Sequence, residues 1–371
     1  MARVLLLHQP VDGGVGRHVA DLGHELLRAG HHLVTCGPSR PGPVPPDCPH
    51  IDLALGRAVA PAADARAVRT LIAILRHVRP DVIHAHSSKA GAVARLARVG
   101  YPRLPLVYSP HGYAFAGHFE RAATRRAYRL AERVLSPLTT RVLCVCHAEA
   151  RLAGQVGRSD RIRVVHNGVR PAPADLAVDP AMERLRRRGP VICTLTQLRP
   201  GKGIETLLDA FARVSATVPS AQLAIWGDGP ERASLGALAA GLGIADRVAF
   251  LGATDAPLSV MRGTDVFVLS SLAESFPYVV LEAMSVGCPV VASRVGGIGE
   301  ALQDGHAGLL VPPADPAALA GALGALLGDR RRAEMLAETG RARVAAHFTL
   351  AGMATGIQSV YSELMTNFVD A

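Results

Sequence analysis

The stretch DVFVLSSLAESFPYVVLEAM, residues 265–284, holds a strand, a loop and the start of a helix in immediate succession. DVFVLSS is a continuous apolar run of strand length, so the loop that carries Glu274 follows the carboxyl end of that strand. Pro277 suits the first helical position, and the helix is predicted over residues 278–285, with Glu282 in its second turn. Both acidic side chains stand in apolar surroundings, where lone carboxylates are rarely buried without a partner.

The same alternation of apolar strand and amphipathic helix runs along the whole chain. Strands are predicted at RVLLLH, HHLVTC, DVIHAH, LVYSP, RVLCVC and IRVVH, and after residue 190 at VICTLTQL, QLAIWG, VAFLG, DVFVLSS, PVVAS and GLLVP. Apolar strands with helices between them indicate parallel sheets that are covered on both faces. The sequence therefore predicts an α/β protein of two Rossmann-like, doubly wound domains facing each other across a cleft.

The boundaries of these domains follow from a stretch of weak signal. Residues 170–190, RPAPADLAVDPAMERLRRRGP, read as a linker region, and DGGVG (12–16) reads as a loop between the first strand and its helix. We expect one domain over 1–170 and a second over 171–346. The terminal helix, within 347–371, is expected to pack back on the first domain.

Composition and charge narrow the class of protein. The chain of 371 residues is 49% apolar, and Lys89 and Lys202 are its only lysines. Residues 1–170 hold 24 Lys and Arg against 11 Asp and Glu, a net +13, whereas residues 171–371 hold 16 against 20, a net −4. The basic half can attract phosphates or an anionic membrane surface, or can be a solvated arginine face. We expect no nucleic acid as a partner.

Targeting signals and cysteine usage predict the compartment. The apolar run within the first ten residues is too short for a signal peptide. No stretch of 18 apolar residues occurs that would predict a membrane-spanning helix. Six cysteines show no framework spacing, which favours reduced thiols. A cytoplasmic protein is expected, with membrane contact limited to peripheral binding at the inner membrane face.

An anion site is predicted at TLTQLRPGKGIE, residues 194–205. This stretch follows a strand and opens a helix, so Arg199 and Lys202 flank the positive end of a helix dipole. A phosphate or diphosphate fits there, and two solvated basic residues are the alternative. Glu274 and Glu282 can accept hydroxyl donors, as from a vicinal diol. A diphosphate between two hydroxyl-rich groups is a nucleotide sugar.

The ordered motifs together resemble glycosyltransferase family 4. These motifs are ESFPYVVLE, RPGKG, GGVG, HAHSSKAG, SPHGYAF and VVHNGV, and they span nearly the whole chain. The resemblance implies the GT-B fold, with an acceptor-binding first domain and a donor-binding second domain. It also implies a retaining transferase that requires no metal and no cofactor beyond its nucleotide diphosphate sugar. The sequence contains no D-x-D, which agrees with a diphosphate site without metal.

The resemblance implies roles for individual residues. Glu274 contacts the hydroxyls of the donor sugar, Glu282 grips the ribose, and Arg199 and Lys202 neutralise the departing diphosphate. The donor is also contacted by the backbone around Phe276, Pro277, Tyr278 and Val279, and by Gly14. His111 lies beside the reacting carbon, so the expected catalytic residues are His111, Arg199, Lys202 and Glu274. The expected acceptor-binding residues are Gly14, His86, His111 and Gly112.

One position departs from the pattern of the family. The family usually has Arg five residues before the motif lysine, where this chain has Gln197. Arg199 stands two positions later and is expected to cover that role. The departure also keeps open an inactive, sugar-nucleotide-binding relative.

Weaker signals carry alternatives. His84 and His86 share one face of a strand end, but no third ligand is in reach by sequence, so an acceptor-lining or structural role is favoured over a metal. For CVCH (144–147) packing is favoured over zinc. The helix over 120–135 carries Arg121, Arg125 and Arg129 on one face, with Arg126 and Arg133 nearby. That face suits anionic lipid or a phosphorylated carrier, or is solvated.

One other function and one other acceptor compete with a transferase that builds polysaccharide or glycolipid on a carrier-linked acceptor. A dinucleotide-binding oxidoreductase fails, because DGGVG lacks the G-x-G-x-x-G spacing and the second strand ends without an acid for the ribose. A soluble secondary metabolite, such as an aminoglycoside aminocyclitol, is the alternative acceptor. The expected donor carries a hexose or N-acetylhexosamine, with UDP favoured and GDP left open.

Overall fold

The structure is a computed structural model that describes residues 1–10, 13–39, 44, 48–117 and 122–369, the last three of these without their side chains. The chain divides into two compact units: the first joins Met1–Asn167 to Leu350–Ala371, and the second is Gly168–Thr349. The boundaries at 167/168 and 349/350 lie close to the expected 170/171 and 346/347.

The first unit is built on one seven-stranded parallel sheet. Its strands are β1 (Arg3–His8), β2 (His32–Gly37), β3 (His50–Asp52), β4 (Val82–His86), β5 (Leu106–Ser109), β6 (Arg141–Cys144) and β7 (Ile162–Val164). Their order in the sheet is β3-β2-β1-β4-β5-β6-β7, so the chain reverses direction across the sheet between β1 and β4. The helices of this part are α1 (Gly13–Arg28), α2 (Pro61–Val78), α3 (Ser88–Arg98), α4 (Ala122–Leu135) and α5 (His147–Gly154).

Strand β1 explains why helices cover both faces of this sheet. It is buried from its second residue to its end, as a central parallel strand must be. Val4 and Leu6 point into a core with residues of α1, whereas Leu5 and Leu7 point into a core with residues of α2 and α3. The strand period of two divides these side chains between the two faces.

The second unit is built on a six-stranded parallel sheet. Its strands are β8 (Val191–Leu195), β9 (Gln222–Trp226), β10 (Val248–Gly252), β11 (Val266–Leu269), β12 (Val290–Ser293) and β13 (Leu309–Val311). The order is β10-β9-β8-β11-β12-β13, so the reversal falls between β8 and β11. The helices are α6 (Pro180–Arg186), α7 (Ile204–Thr217), α8 (Arg232–Gly241), α9 (Pro257–Arg262), α10 (Tyr278–Ser285), α11 (Ile298–Ala301), α12 (Pro316–Gly328) and α13 (Arg330–His347). The predicted pair of doubly wound α/β domains is confirmed.

The terminal helix, α14 (Leu350–Val369), belongs to the first unit. It packs against α1, and its apolar face shares a core with Val4 and Leu6 of β1. Residues four and three apart on that face, such as Met353, Ile357 and Val360, are buried because they repeat with the helical period.

Three local predictions were wrong. Helix α1 begins at Gly13, so GGVG is its first turn rather than a loop; Asp12 lies outside the described residues. The expected linker contains α6, which Asp179 caps by accepting a hydrogen bond from the amide of Ala181, and whose Met182 is buried in the second unit. Strand β3 was missed, because three residues are too few for a periodic signal.

Candidate active site

In the second unit, the loops after β8 and β11 meet where the strand order reverses. The amide of Leu272 donates to the carbonyl of Gly201 at 2.9 Å, and the hydroxyl of Ser270 donates to the carbonyl of Lys202 at 3.2 Å. Gly203 has φ +65°, and a Cβ there would lie 2.2 Å from the carbonyl oxygen of Ser270. Only glycine lets the two loops approach this closely. Ligands of open parallel sheets bind at such a reversal.

This contact brings Lys202 and Glu274 together. Lys202 Nζ donates to Glu274 Oε1 at 2.6 Å, and the two side chains are 14% and 15% exposed. The sequence predicted Glu274 as an acceptor for sugar hydroxyls; in the structure its carboxylate already accepts from the lysine. A short, half-buried, charge-assisted contact fixes the positions of both groups.

The loop that carries Glu274 is also held from its other side. A Cβ on Gly296, whose φ is +53°, would lie 1.8 Å from the carbonyl oxygen of Glu274. The amide of Gly297 donates to the carbonyl of Ser275 at 2.7 Å. The loop after β12 therefore packs directly on the backbone of the Glu274 loop, which immobilises it.

Helix α10 starts at the end of this loop. Pro277 has extended backbone and precedes the first helical residue, so its predicted place at the first helical position is wrong by one residue. Phe276 and Tyr278 are 3% and 6% exposed, which leaves Val279 as the part-exposed side chain of the first turn. The orphan backbone amides of a helix start are hydrogen-bond donors for an anion.

The second glutamate of the motif lies deeper. Glu282 is 2% exposed and lies in α10, which packs against α9 and α13. The expectation of two accessible carboxylates therefore holds only in part: Glu274 reaches solvent and Glu282 is enclosed.

Arg199 differs from Lys202 in its surroundings. Its side chain is exposed, and its Nε donates to the side-chain oxygen of Gln197 at 3.1 Å. Both cations precede α7, as the sequence predicted. The glutamine that stands where the family has arginine is thus a hydrogen-bond acceptor for the neighbouring arginine.

In the first unit, histidines gather where the order of that sheet reverses, between β1 and β4. They come from the end of β1, from α1, from β4 and from the turn after β5: His8, His18, His84, His86 and His111. His86 Nδ1 lies 3.0 Å from His111 Nε2, and His18 Nδ1 lies 3.2 Å from Asn167 Oδ1. The sequence paired His84 with His86 only, because residues from α1 and from the turn after β5 are distant along the chain.

His84 is satisfied separately from the others. Its Nδ1 lies 2.6 Å from the hydroxyl of Tyr361 on α14, and its Nε2 lies 2.8 Å from the hydroxyl of Ser109. His84 therefore links the terminal helix to the centre of the sheet, which is a structural role.

Burial keeps these histidines neutral. Removal from water lowers the pKa of His8 and of His18 to about 4. The same cause, with neighbouring imidazoles, lowers the pKa of His84, His86 and His111 well below the usual value. At neutral pH each ring can donate one hydrogen bond and accept another.

The turn that carries His111 is held by a residue that the sequence did not single out. His111 and Gly112 have φ values of +53° and +101°, and only the glycine adopts this region without strain. Glu149 Oε1 accepts from the amide of Gly112 at 2.5 Å, and Oε2 accepts from the amide of Val145 at 2.9 Å. Glu149 is 2% exposed and lies in the first turn of α5, and neither property can be read from the sequence.

Gly14 lies in a helix and not in the loop that the sequence predicted. It lies exposed in the first turn of α1, and the positive φ of that turn, +65°, belongs to Gly13. Any close approach of a ligand to Gly14 would use the orphan amides of the helix start.

Family comparisons agree with this arrangement in both halves. Residues 13–168 match the model of the glycosyl transferase 4-like domain, and residues 179–343 match glycosyl transferases group 1. A D-inositol 3-phosphate glycosyltransferase of Acidothermus cellulolyticus is 36% identical over 314 residues, 77% of this chain and 67% of that protein. A glycogen synthase of Mycobacterium tuberculosis is 27% identical over 95% of this chain and 91% of that protein. The chain is a GT-B glycosyltransferase of the family 4 type.

Solved structures place this glycosyltransferase in the same fold. A sucrose-phosphate synthase of Thermosynechococcus elongatus has a TM-score of 0.84 at 25% identity, over 99% of this chain and 100% of that one. Anabaena HepE, solved in complex with UDP-glucose, has a TM-score of 0.82 at 23% identity, over 98% and 100%.

Other predicted features of the glycosyltransferase have structural roles. Cys144 and Cys146 are wholly buried, Cys146 Sγ accepts from the amide of Glu149 at 3.3 Å, and burial raises the pKa of Cys144. The CVCH stretch is thus part of the packing between β6 and α5. Lys89, the other lysine, forms an ion pair with Asp64 at 2.6 Å.

Helix α4 presents a basic and apolar surface. Arg125, Arg126, Arg129 and Arg133 are exposed, and Arg121 lies outside the described residues. Leu130 and Val134, 62% and 66% exposed, follow Arg126 at helical spacing. In the described part of the chain, no helix combines the length and the apolar run needed to cross a membrane.

Proposed function

We propose that this glycosyltransferase is a retaining, metal-independent enzyme that moves a hexose or N-acetylhexosamine from a UDP-sugar to an acceptor hydroxyl. The observation that carries the proposal is the contact of Lys202 with Glu274 at 2.6 Å, at the reversal of the second sheet and beside two helix starts. A cation for the diphosphate and an acceptor for sugar hydroxyls are thereby fixed side by side.

The first step assigned to the second unit is charge neutralisation. Cleavage of the bond between sugar and diphosphate builds negative charge on the leaving group. Lys202 is positioned in advance by Glu274, so little reorganisation is needed when that charge develops. Arg199, exposed and oriented by Gln197, supplies the second cation. The amides at the start of α10, around Phe276, Pro277, Tyr278 and Val279, complete the diphosphate site.

The two glutamates select the donor. Glu274 Oε1 holds the lysine, and its carboxylate has remaining acceptor capacity for hydroxyls of the donor sugar. Glu282 binds the ribose, which requires the enclosed side chain to become accessible when the donor enters. Because Glu274 is engaged with Lys202, we do not assign it as a covalent nucleophile, and retention follows from attack on the face from which the diphosphate leaves.

Protein cations replace a metal at the diphosphate. The sequence has no D-x-D pair to hold a divalent ion, whereas Lys202 and Arg199 both precede α7. We therefore assign no cofactor to the transfer, only the nucleotide diphosphate sugar as co-substrate.

The first unit supplies the acceptor side. His111 is the partly exposed member of the histidine group, and its neutral ring can exchange hydrogen bonds with sugar hydroxyls. His86 is wholly buried and orients His111 from below at 3.0 Å. The amides at Gly112 and at Gly14 line the same edge of the first sheet.

The acceptor we propose is anionic. Residues 1–170 carry a net +13, and the relatives that are more than 30% identical include enzymes named for D-inositol 3-phosphate. A carrier-linked phosphate acceptor, used at the inner membrane face by a cytoplasmic enzyme, fits the arginines of α4. A cationic aminocyclitol is the alternative acceptor, and the basic surface disfavours it.

Donor binding tests the proposal directly. Calorimetry is done with UDP, GDP, UDP-glucose, UDP-N-acetylglucosamine and GDP-mannose, in EDTA, on the wild type and on Lys202→Ala. The control is Lys89→Ala, which removes the only other lysine and an ion pair of the same 2.6 Å length. We expect micromolar binding of a uridine ligand that Lys202→Ala loses and Lys89→Ala keeps. Binding that requires a divalent metal, or no binding at all, contradicts the site.

Stereochemistry is tested on the product. Transfer from an α-linked UDP-sugar should give an α-linked product, read from the anomeric proton coupling by NMR. A β-linked product overturns retention while leaving the donor site intact.

A further inference from the structure

We propose that His18, His86 and His111 form a binding site for a divalent transition-metal ion, with Zn²⁺ as the first choice, through one ring nitrogen each. All three histidines belong to the first unit, whereas the proposed donor residues belong to the second. The existence of the metal site does not depend on the proposed function.

The positions of the nitrogens carry the argument. One ring nitrogen of each of the three histidines lies within 4.8 Å of the others. Zn²⁺ bound tetrahedrally at 2.0–2.1 Å would hold its nitrogen ligands about 3.3 Å apart. His86 Nδ1 and His111 Nε2 are already 3.0 Å apart, so small ring rotations bring the third nitrogen into range.

Ring placement agrees with the nitrogen distances. The centroids are 4.5 Å apart for His18 and His111, and 5.3 Å apart for the other two pairs. Three imidazoles around one tetrahedral ion have centroids about 5 Å apart, given the bond length to zinc. The rings are therefore already arranged around a common point.

One of the three ligands has the partner that histidines in metal sites usually have, and the other two are held in place by their neighbours. Metal-bound histidine usually donates its other ring N–H to a carbonyl or carboxylate oxygen. His18 Nδ1 lies 3.2 Å from the side-chain oxygen of Asn167, which places the proton on Nδ1 and a lone pair on Nε2. The backbone of His111 is held in its positive-φ turn by Glu149 through Gly112. His84, occupied by Tyr361 and Ser109, packs against His86 and fixes that ring.

The donor set selects the metal. Neutral imidazoles suit Zn²⁺, Cu²⁺, Ni²⁺ and Co²⁺, whereas Mg²⁺ and Ca²⁺ prefer oxygen ligands, which these three side chains do not offer. His86 is wholly buried, and its Nδ1, which faces His111 Nε2 at 3.0 Å, is the nitrogen that would bind the ion. His111 is partly exposed, which gives an ion a path of entry and leaves a fourth position for water.

A bound ion has a consequence for transfer that does rest on the proposed function. It would occupy the lone pair with which His111 meets the substrate. Zn²⁺ should then inhibit transfer without displacing UDP from the second unit.

Metal binding is tested on the full chain after treatment with EDTA. Zn²⁺ is titrated by calorimetry, and Co²⁺ is followed by visible absorption, which is far stronger for tetrahedral than for octahedral cobalt. We expect one equivalent with micromolar affinity or better and a tetrahedral cobalt spectrum. If the wild type does not bind the metal, or gives only the weak octahedral spectrum, that result by itself overturns the proposed site, whatever the variants do.

Variants then locate the ion. His86→Gln and His111→Asn should each weaken binding by at least about 100-fold, the upper end of what loss of a supporting partner alone costs. His111→Asn is the better folded of the two by design, because asparagine tolerates positive φ. The control is His77→Gln, on the exposed side of α2. Circular dichroism checks folding, and unchanged affinity in folded His111→Asn contradicts the assignment. If the metal-free wild type does not bind UDP, that result counts against the proposed function and not against the metal site.

Discussion

Both units place polar side chains where the strand order of a parallel sheet reverses, but these side chains are neutral in the first unit and charged in the second. At the reversal of the first sheet, neutral histidines contact one another and the side chains of Asn167, Tyr361 and Ser109. At the reversal of the second, a full charge pair, Lys202 with Glu274, stands beside a helix start. The topology supplies the location, and the residue types decide whether it can neutralise a diphosphate or only exchange hydrogen bonds with hydroxyls.

The largest expected difference between the two units is in how far acid lowers their stability against unfolding. The pKa of His8 and of His18 is about 4 in the folded chain and 6.5 unfolded, so between these values the unfolded chain binds more protons. The contribution of these two rings to the stability of the first unit is therefore fully present above pH 6.5 and is lost as the pH falls toward 4. Each ring contributes about 3 kcal/mol at most, so the two together approach the lower end of the unfolding free energy of an ordinary domain.

Trp226 provides the measurement. It is the only tryptophan, it lies in β9 of the second unit, and it is 7% exposed. Urea unfolding followed by its fluorescence should change little between pH 7 and 5, while far-ultraviolet circular dichroism loses the first unit at lower urea. Coincident transitions at both pH values would remove the contrast. His8→Phe, which cannot titrate, should reduce the pH dependence of the dichroism signal.

The second largest expected effect is on kcat, when the charge of Lys202 in its pair with Glu274 is removed. Lys202→Ala should lower kcat about 100- to 1000-fold, because one preorganised donor to a developing anion is worth that much. Lys89→Ala, in the first unit, removes a lysine–aspartate pair of equal length and should leave kcat within a few-fold. The readout is UDP release from the donor with saturating acceptor. Equal losses in the two variants would mean that general destabilisation, not charge at the diphosphate, sets the rate.

The sequence predicted which loops carry the site residues better than it predicted the contacts between those residues. Arg199, Lys202 and Glu274 were placed correctly in loops after strands, since apolar runs and helix starts are local signals. The contact between Lys202 and Glu274, 72 residues apart, depends on β8 lying beside β11, which no local pattern encodes. For the same reason His18 and His111 were not grouped with His86.

Short and capped elements were missed for a different reason. Strand β3 has three residues, and α6 has seven, so hydrophobic periodicity had too few positions to act on. The Asp179–Pro180 pair was the usable signal for α6, because Asp caps and Pro opens helices. Glu149 was overlooked because a buried carboxylate that binds backbone amides has no sequence spacing of its own.

Backbone approach at the donor loop gives a smaller, separable effect. Gly203→Ala should destabilise the second unit by more than the 1–2 kcal/mol typical of a left-handed alanine, because its Cβ would meet the carbonyl of Ser270. Gly243→Ala is the matched control: φ is +68° and no atom of the described residues lies within 4 Å of the added Cβ. Trp226 fluorescence measures both unfolding free energies. The donor variant alone should also lose UDP affinity, since Lys202 is the adjacent residue. Equal destabilisation with UDP binding intact would show that the close approach is not needed.

The smallest expected effect is on membrane binding through α4. It tests whether the basic charge of the first unit attracts the protein to anionic lipid. Vesicles with anionic lipid should bind the wild type, and Arg125→Glu with Arg129→Glu should weaken binding by about 1 kcal/mol for each arginine removed, in a salt-dependent way. The control exchanges the same charges on the second unit, Arg331→Glu with Arg332→Glu on α13, both exposed. If the two double variants lose binding equally, net charge alone explains the attraction. If only the α4 variant loses it, the exposed Leu130 and Val134 beside those arginines mark the surface that meets the lipid.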